Sequence, residues 1–414
     1  MCGLDVVWER CVGLDIGKKF LVACALSSEG QARPDIRTFG TTTAKLLELR
    51  DWIVAEGMQA VAMESTGPYW KPIWNVLEDV PGLTLVLTNP QHMKAVPGRK
   101  TDVKDAEWIA QLLRHGLLRS SYVPSKGQRE LRELVRYRRK IIGERASEVN
   151  RIQKVLEGAN IKLGSVLSDV TGASGARVLK ELSQGVEDPD ILAGFIHHRV
   201  KASREELEQA LTGYMTDHQR YLLGQQLDHL HYLDEKIAGL DTEIDRRLEP
   251  AKEVLERLVT VPGIGKRTAQ TIVIEVGTDV DHFPSAAHLV AWGGLAPGQN
   301  ESAGKRKPAR VRPGNPSLRT AMVEAAQAAA RSRNTYLQAR HMHLAARLKG
   351  RKATVALARH ILEIVFHILR DKAVYHDHGA DYYDRRDHET IQRRAVQQLE
   401  RLGYTVTLQA PPAA

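Results

Sequence analysis

The sequence predicts an α/β domain at the N-terminal end, in which helices cover a mixed sheet, followed by a mostly α remainder. Two observations lead to this prediction. Short apolar runs alternate with amphipathic helical patterns over residues 10–125, whereas residues 126–370 show long helical periodicities with few strand formers. The chain therefore divides into a part that contains a sheet and a part that is built from helices.

The α/β part is predicted from apolar runs of strand length and from apolar residues at helical spacing. The first two runs flank Gly17 and Lys18, which is typical of an antiparallel pair of strands. The predicted elements are strands at 11–16, 19–26 and 35–40, a helix at 43–55, a strand at 59–63, a helix at 69–78 and a strand at 83–88.

Four carboxylates stand at the ends of these elements. Asp15 closes the first apolar run, and Glu64 directly follows the strand at 59–63. Asp102 and Asp105 lie three residues apart at the start of an amphipathic helix and so share a face, although helix capping would also place acids there. Open α/β sheets bind ligands at strand ends, and Mg²⁺ prefers oxygen ligands. The four acids predict a magnesium site suited to an in-line displacement at phosphorus, as in nucleases.

The overall composition favours a polyanionic partner. The chain has 414 residues, of which 43% are hydrophobic, and a formal net charge of +9 that points to nucleic acid. No apolar run approaches the roughly 18 residues that a membrane helix needs, and we expect no export signal and no membrane partner. Three cysteines without a paired spacing (Cys2, Cys11 and Cys24) suit a reducing cytoplasm.

Residues 126–255 are predicted to form a helical, coiled-coil linker. A strongly basic helix runs from Gln128 to Lys154, and residues 164–185, rich in serine and glycine, are predicted to be a flexible connection. A second long helix could use its apolar seam for packing within the chain or as a dimerisation arm. The seam alternates spacings of three and four residues and comprises Leu230, Leu233, Ile237, Leu240, Ile244 and Leu248.

Residues 256–370 are predicted to form a C-terminal domain that begins with a helix-hairpin-helix motif. In Val261-Pro-Gly263-Ile-Gly265-Lys266, the glycines let the backbone turn and expose amide groups beside a helix N-terminus, where phosphate binds. Lys266 and Arg267 add positive charge. An ordinary Gly-Pro turn between helices is the alternative.

A basic loop follows in the same domain. Ser302 lies at its mouth between small residues, where an exposed hydroxyl could attack phosphorus, although an unremarkable loop serine is the alternative. The cations would follow a phosphodiester backbone and stabilise developing charge. They are Lys305, Arg306, Lys307, Arg310, Arg312 and Arg319. Residues 371–414 are predicted to be a polar tail whose scattered histidines do not match the spacing of a zinc site.

Five stretches occur together in an order that resembles the DEDD-type transposases of bacterial insertion sequences, described as bridge-RNA-guided recombinases. Each stretch is weak alone, but the ordered set covers residues 13 to about 330. The stretches are Gly13-Leu-Asp15-Ile-Gly-Lys, Met63-Glu64-Ser-Thr-Gly-Pro-Tyr69, Lys100-Thr-Asp102-Val-Lys-Asp105-Ala, Val261-Pro-Gly-Ile-Gly265 and Trp292-Gly-Gly-Leu-Ala-Pro through Ser302-Ala-Gly-Lys305.

This resemblance implies a domain at 10–125 with the fold of ribonuclease H and Holliday-junction resolvases, in which Asp15, Glu64, Asp102 and Asp105 bind Mg²⁺. It also implies a transposase domain whose serine, here Ser302, forms a covalent link to DNA. Where the family often has Ser-Gly-Gly-Lys, this chain has alanine at position 303. The implied partners are donor and target DNA, a noncoding guide RNA and further copies of the chain in a homo-oligomer. The implied location is the bacterial cytoplasm, at the nucleoid during the reaction.

Three other functions remain open at this point. A metal-dependent nuclease of the Holliday-junction resolvase kind would share the four acids but would not need Ser302. An inactive nucleic-acid-binding scaffold would not need the acids. An actin-like ATPase or sugar kinase also begins with a strand bearing Asp-x-Gly, but the further glycine-rich phosphate loops that it requires do not follow the later strands.

Overall fold

A computed structural model of the chain divides after Pro124 into two compact units, Met1–Pro124 and Ser125–Ala414. The regions for which separate domains are predicted, 126–255 and 256–370, both belong to the second unit. Side chains are left out of the description at 102–104, 301, 302, 305, 306 and 389–391. The structure describes residues 5–27, 34–89, 102–298, 301–302, 305–306, 310–348 and 350–408.

The first unit is a mixed five-stranded sheet with helices, as the sequence predicts. The strand order is β3-β2-β1-β4-β5; β1, β2 and β3 are antiparallel, whereas β4 and β5 run parallel to β1. Every predicted strand and helix of this unit is present within two residues of its predicted bounds. The elements are β1 (Cys11–Ile16), β2 (Phe20–Leu26), β3 (Asp35–Gly40), α1 (Thr43–Ala55), β4 (Ala60–Glu64), α2 (Trp70–Leu77), β5 (Thr84–Thr88) and α3 (Asp102–Arg114).

Alternation along the strands gives the sheet two different faces. On one face the large side chains of Leu14 and Met63 pack with residues of α1 and α2. On the other face small side chains, such as Ala60 and Ala62, pack with Ala106 of α3. Small residues allow a helix to approach the sheet closely, so α3 is the helix that lies nearest the strands.

The two described cysteines are buried on the face that α3 covers. Burial raises the pKa of the Cys11 thiol to about 11 and that of Cys24 to about 12. Both thiols are therefore protonated at pH 8, where the thiolate is the reactive form. We expect a Cys2→Ser variant to react with a colourimetric disulfide reagent only after unfolding in urea, when the two thiols of Cys11 and Cys24 react per chain. Rapid labelling of the folded variant at pH 8 would contradict this prediction.

The second unit begins with two long antiparallel helices, α4 (Lys126–Gly158) and α9 (Asp217–Leu248). Glu130 pairs with Arg247 at one end, and Glu148 pairs with His229 towards the other. Residues of the predicted seam face α4: for example, Leu233 and Ile237 pack with Ile141. Of the two alternatives, packing within the chain therefore accounts for the seam. These apolar residues are covered by α4 and are not available to a dimerisation arm.

Four short helices connect α4 to α9, and they correct one prediction. The segment 164–185 is not a flexible connection, because it is largely helical and Leu179 and Leu182 are buried. A Cβ added to Gly175 would lie 2.1 Å from the Val170 carbonyl oxygen, so this glycine allows close packing rather than mobility. The helices are α5 (Leu163–Val166), α6 (Ala173–Ser183), α7 (Pro189–Gly194) and α8 (Arg204–Leu211).

The remaining elements of the second unit include a helix that is buried on all sides over residues 269–276. In chain order the elements are a 3₁₀ turn (Glu249–Ala251), α10 (Lys252–Val259), α11 (Lys266–Val276), α12 (Ala286–Trp292), β6 (Glu301–Ser302), β7 (Lys305–Arg306), α13 (Pro316–Ala329), α14 (Tyr336–Arg347), α15 (Arg351–Asp371), α16 (Tyr382–Arg386) and α17 (His388–Arg401).

The start of the predicted polar tail packs against this core. Tyr375, Tyr382 and Tyr383 contact the apolar cluster, and the ring of Tyr382 lies 5.0 Å from that of buried Tyr336. Aromatic side chains among the polar residues thus anchor the chain at least as far as Tyr383. In the parts of the chain that the structure describes, no helix combines the length and apolarity needed to cross a membrane.

Candidate catalytic centre and nucleic-acid interface

Asp15 and Glu64 lie side by side at the ends of two neighbouring parallel strands. The register pairs Leu14 with Met63, and the next position along β1 and β4 is occupied by the two acids. Because Leu14 and Met63 point to one face, Asp15 and Glu64 point to the other, on strands about 4.8 Å apart. Both acids are half-buried, and Glu64 accepts a hydrogen bond of 3.0 Å from the Thr66 hydroxyl.

Helix α3 runs antiparallel to β1 on the face to which these acids point. Its last residue, Arg114, accepts the Trp8 N–H at 3.1 Å, and the Cys11 thiol donates to the Ala110 carbonyl oxygen at 3.6 Å. A Cβ added to Gly13 would lie 2.3 Å from both the Ala106 carbonyl oxygen and the Ala110 nitrogen. The helix backbone therefore rests directly on the strand at Gly13.

This packing carries the first turn of α3 to the carboxylate end of the sheet. Four helical residues from Ala106 back to Asp102 rise about 6 Å, and two strand residues from Gly13 to Asp15 span about 6.6 Å. The helix start and Asp15 are thus at the same level. Asp105 is half-buried in this turn; Asp102 is the first helical residue, and its side chain is outside the description. The four predicted acids therefore lie on three adjacent elements.

The donor set fits a hard divalent cation in type, because all four groups are carboxylates. Among the described side chains, however, no group of three histidine, cysteine or acidic residues is close enough to hold a metal ion. Three of the four predicted ligands, Asp15, Glu64 and Asp105, are among these side chains, and that of Asp102 is not.

Ser302 lies in a β-hairpin that the sequence analysis did not predict. At its base, the Gly298 N–H donates to the Arg310 carbonyl oxygen at 3.0 Å, and the Arg312 N–H donates to Ala296 at 3.2 Å. At its tip, Ser302 pairs with Lys305, which leaves two residues between the strands. The sequence Ser-Ala-Gly-Lys, with glycine in a two-residue connection, could have indicated this turn.

The predicted cations are distributed along this hairpin and the helix that follows it. Lys305 and Arg306 form β7, opposite Ser302 and Glu301, and Lys307 is outside the described residues. Arg310 and Arg312 are exposed at the base, and Arg319 is exposed in the first turn of α13. The backbone thus places the serine and several cations on one element.

One glycine of the predicted helix-hairpin-helix, Gly263, serves packing. The turn between α10 and α11 puts Gly263 at φ +91°, and a Cβ there would lie 2.3 Å from the Ala325 carbonyl oxygen of α13. Gly265 precedes α11 as its N-cap, with no atom near its missing Cβ. The geometry establishes two helices joined by a turn, whereas the helix-hairpin-helix motif and its phosphate-binding role stay predictions.

The predicted cations of this turn are already paired within the chain. Lys266 Nζ lies 2.6 Å from an Asp245 carboxylate oxygen, and an Arg267 guanidinium nitrogen lies 2.5 Å from Asp241. Both acids belong to α9, so the two cations neutralise a neighbouring helix. A nucleic acid would have to compete with these ion pairs.

Arginines of the basic helix α4 also pair with polar and acidic residues of the same chain. Arg138 is buried between Asp241 and Gln270, at 2.6 and 2.8 Å, and Arg145 pairs with Asp234. The sequence analysis missed these pairings because the partners lie about 90 to 130 residues further along the chain. Nucleic-acid contacts are therefore better sought on the hairpin than on α4.

Comparison with known proteins finds two matching family models. A model described as "Transposase", of the DEDD type, matches residues 12–161, and a model of the "Transposase IS116/IS110/IS902 family" matches residues 255–342. The first contains all four predicted acids and the second contains Ser302. Together the two matches cover both predicted centres.

Individual relatives carry similar names. A 43.6 kDa protein of the insertion element IS110 from Streptomyces coelicolor is 34% identical over 34% of this chain and 35% of its own length. The pilin gene-inverting protein of Moraxella bovis is 31% identical over 26% of this chain and 32% of its own length. A 42 kDa protein of the element IS900 from Mycobacterium paratuberculosis is 26% identical over 71% of this chain and 80% of its own length. The chain thus spans about a third of the length of the first two relatives.

Proposed function

Because the chain belongs to the IS110 family of transposases, we propose that it cuts and rejoins the DNA of an insertion sequence by phosphoryl transfer. The observation that carries this proposal is the side-by-side position of Asp15 and Glu64, with the start of α3 held at the same level by the contact at Gly13. The five-stranded mixed sheet with a helix on the carboxylate face supports a ribonuclease H-like fold for this unit.

In this proposal Asp15, Glu64, Asp102 and Asp105 hold Mg²⁺, which supplies positive charge beside the scissile phosphate. The fold positions the proposed ligands: β1 and β4 hold Asp15 and Glu64 in neighbouring positions, and α3 contributes Asp102 and Asp105. The hydrogen bond from Thr66 orients the Glu64 carboxylate.

Ser302 is proposed to be the nucleophile. Its hydroxyl oxygen gives up its proton and forms a bond to phosphorus, the bond from phosphorus to a deoxyribose oxygen breaks, and that oxygen takes up a proton as it leaves, so the step consumes no net proton. Attack by a deoxyribose hydroxyl on the protein–DNA phosphodiester reverses the step, joins the strands and frees the serine. Lys305 and Arg306, whose strand pairs with Ser302 and Glu301 in the hairpin, are proposed to stabilise the added negative charge.

The proposed partners are donor and target DNA and a noncoding guide RNA, bound by a homo-oligomer in the bacterial cytoplasm. The exposed cations at the hairpin base and on α13 would contact phosphates without reading sequence. A water-using nuclease of the resolvase kind is the second candidate, since the four acids alone would suffice for it. An inactive scaffold would use only the cations.

An end-labelled suicide substrate separates these functions. The protein, RNA transcribed from beside its gene and Mg²⁺ are incubated with donor DNA and resolved on a denaturing gel. We expect a slow, protease-sensitive protein–DNA band that is lost in Ser302→Ala and retained in Ser317→Ala, a matched change in the first turn of α13. Free cleaved ends that persist in Ser302→Ala would support the nuclease instead. Binding without any product would support the scaffold.

A further inference from the structure

Glu275 is a buried carboxylate that none of the functions above uses. Glu275, near the end of α11, has no exposed surface, and the Arg136 guanidinium of α4 donates a hydrogen bond of 2.9 Å to each of its carboxylate oxygens. Although burial works against ionisation, the hydrogen bonds from Arg136 and Asn315 hold the pKa of Glu275 below its usual range. The group is therefore a fixed negative charge inside the second unit.

Asn315 connects this charge to the outgoing side of the hairpin. Its side-chain N–H donates to Glu275 at 2.7 Å, while its side-chain oxygen caps α13 by accepting the N–H groups of Ser317 and Leu318 at 3.0 and 3.1 Å. Asn315 follows the hairpin strand after only two residues, Pro313 and Gly314. The position of Asn315 thus fixes where the returning strand ends.

Arg132 and Trp292 connect the same charge to the incoming side. The Arg132 side chain approaches Glu275 at 3.4 Å and lies over the Trp292 ring, 5.9 Å from its centre. The Trp292 carbonyl oxygen in turn accepts the Asn315 N–H at 2.9 Å. Between them, Gly294 and Gly314 cross so closely that a Cβ on Gly314 would lie 2.3 Å from the Gly294 nitrogen. Both ends of the hairpin therefore meet at one buried site.

We infer that Glu275 is a positioning residue, which through Asn315 and Arg132 fixes the base of the hairpin that carries Ser302. Its effect on the reaction rests on the proposed function, but its effect on the hairpin does not. A hairpin of this length with two short paired segments has little stability of its own. A rigid base is what would hold the hydroxyl at its tip in a reactive position.

Amide hydrogen exchange, resolved by peptide, tests the anchoring without any DNA. In Glu275→Gln, and in Asn315→Ser, which keeps a helix-capping oxygen but loses the donor to Glu275, we expect exchange at 296–312 to rise about tenfold, as for the loss of a charge-assisted hydrogen bond. Exchange in the core of α15 should not change. The matched control is Glu324→Gln, which breaks an exposed pair between Arg139 of α4 and α13.

The suicide-substrate assay then tests the consequence. We expect the rate of adduct formation at saturating DNA to fall about tenfold or more in both variants, while DNA affinity stays within twofold, because the hairpin cations are retained. Unchanged exchange at 296–312 would overturn the inference, as would faster exchange with an unaltered adduct rate. If wild type forms no adduct, the proposed function fails, and the exchange experiment still decides the anchoring.

Discussion

Replacing Glu64 with glutamine is expected to reduce DNA strand cleavage by about a thousandfold, since a neutral amide cannot supply the charge that a metal-assisted displacement requires. The substitution preserves the shape of the side chain and its contact with Thr66. Asp15→Asn should have a similar effect, because the two acids occupy neighbouring positions of β1 and β4. The result would separate a catalytic centre from a pair of solvated surface acids.

The measurement is cleavage of the labelled substrate at increasing Mg²⁺, together with the Mg²⁺-dependent shift of the melting temperature without DNA. Glu48→Gln is the control, because Glu48 lies exposed on α1 and pairs with Lys45 in a surface contact of small energetic value. Cleavage by Glu64→Gln within threefold of wild type would contradict the proposed centre. A retained Mg²⁺ shift in that variant would show that the ion binds elsewhere.

Gly13→Ala is expected to destabilise the first unit by more than about 3 kcal/mol, because overpacking against backbone cannot be relieved by a rotamer change. The added Cβ would meet the backbone of α3 at Ala106 and Ala110, both at 2.3 Å. Either the helix moves away from β1, or the unit unfolds. In both cases Asp102 and Asp105 leave the level of Asp15, so cleavage should be lost as well.

Urea unfolding, followed by hydrogen exchange of peptides from β1 and β4, measures this effect. Gly143→Ala is the matched control: Gly143 lies inside α4, an added Cβ meets no atom within 4 Å, and the helix should gain up to about 1 kcal/mol. A Gly13→Ala variant with the stability and the cleavage activity of wild type would show that α3 does not rest on the strand as described. Wild-type stability with lost cleavage would instead indicate that α3 has moved away from β1.

Much of the first unit could be predicted because its information is local. Apolar runs of strand length and helical periodicities identified the strands and helices, and they placed Asp15 and Glu64 at strand ends. The structure adds that the two strands are parallel neighbours. The hairpin around Ser302 was missed because its paired segments are short and basic, and such residues are not typical of strands. Its only local indication was glycine in the two-residue connection.

In the second unit, the packing partners of the helices could not be predicted from local sequence patterns. The spacing of the seam on α9 predicted a buried apolar stripe, but its partner, α4, was decided only by packing within the chain. Segment 164–185 looked flexible from its composition, yet its leucines are buried and Gly175 allows close packing. Glycine and serine permit both outcomes, and only the presence of neighbouring helices selects one.

The sequence by itself determined the strands and helices of the first unit, the acids at the strand ends and the positive charge, because periodicity, residue type and chain order are properties of short segments. Only the tertiary structure decided which charges remain available. It paired Lys266 and Arg267 with acids of α9 and buried Glu275 beneath the hairpin. These outcomes depend on helices far apart in the chain, and an ion pair forms wherever packing brings opposite charges out of water together.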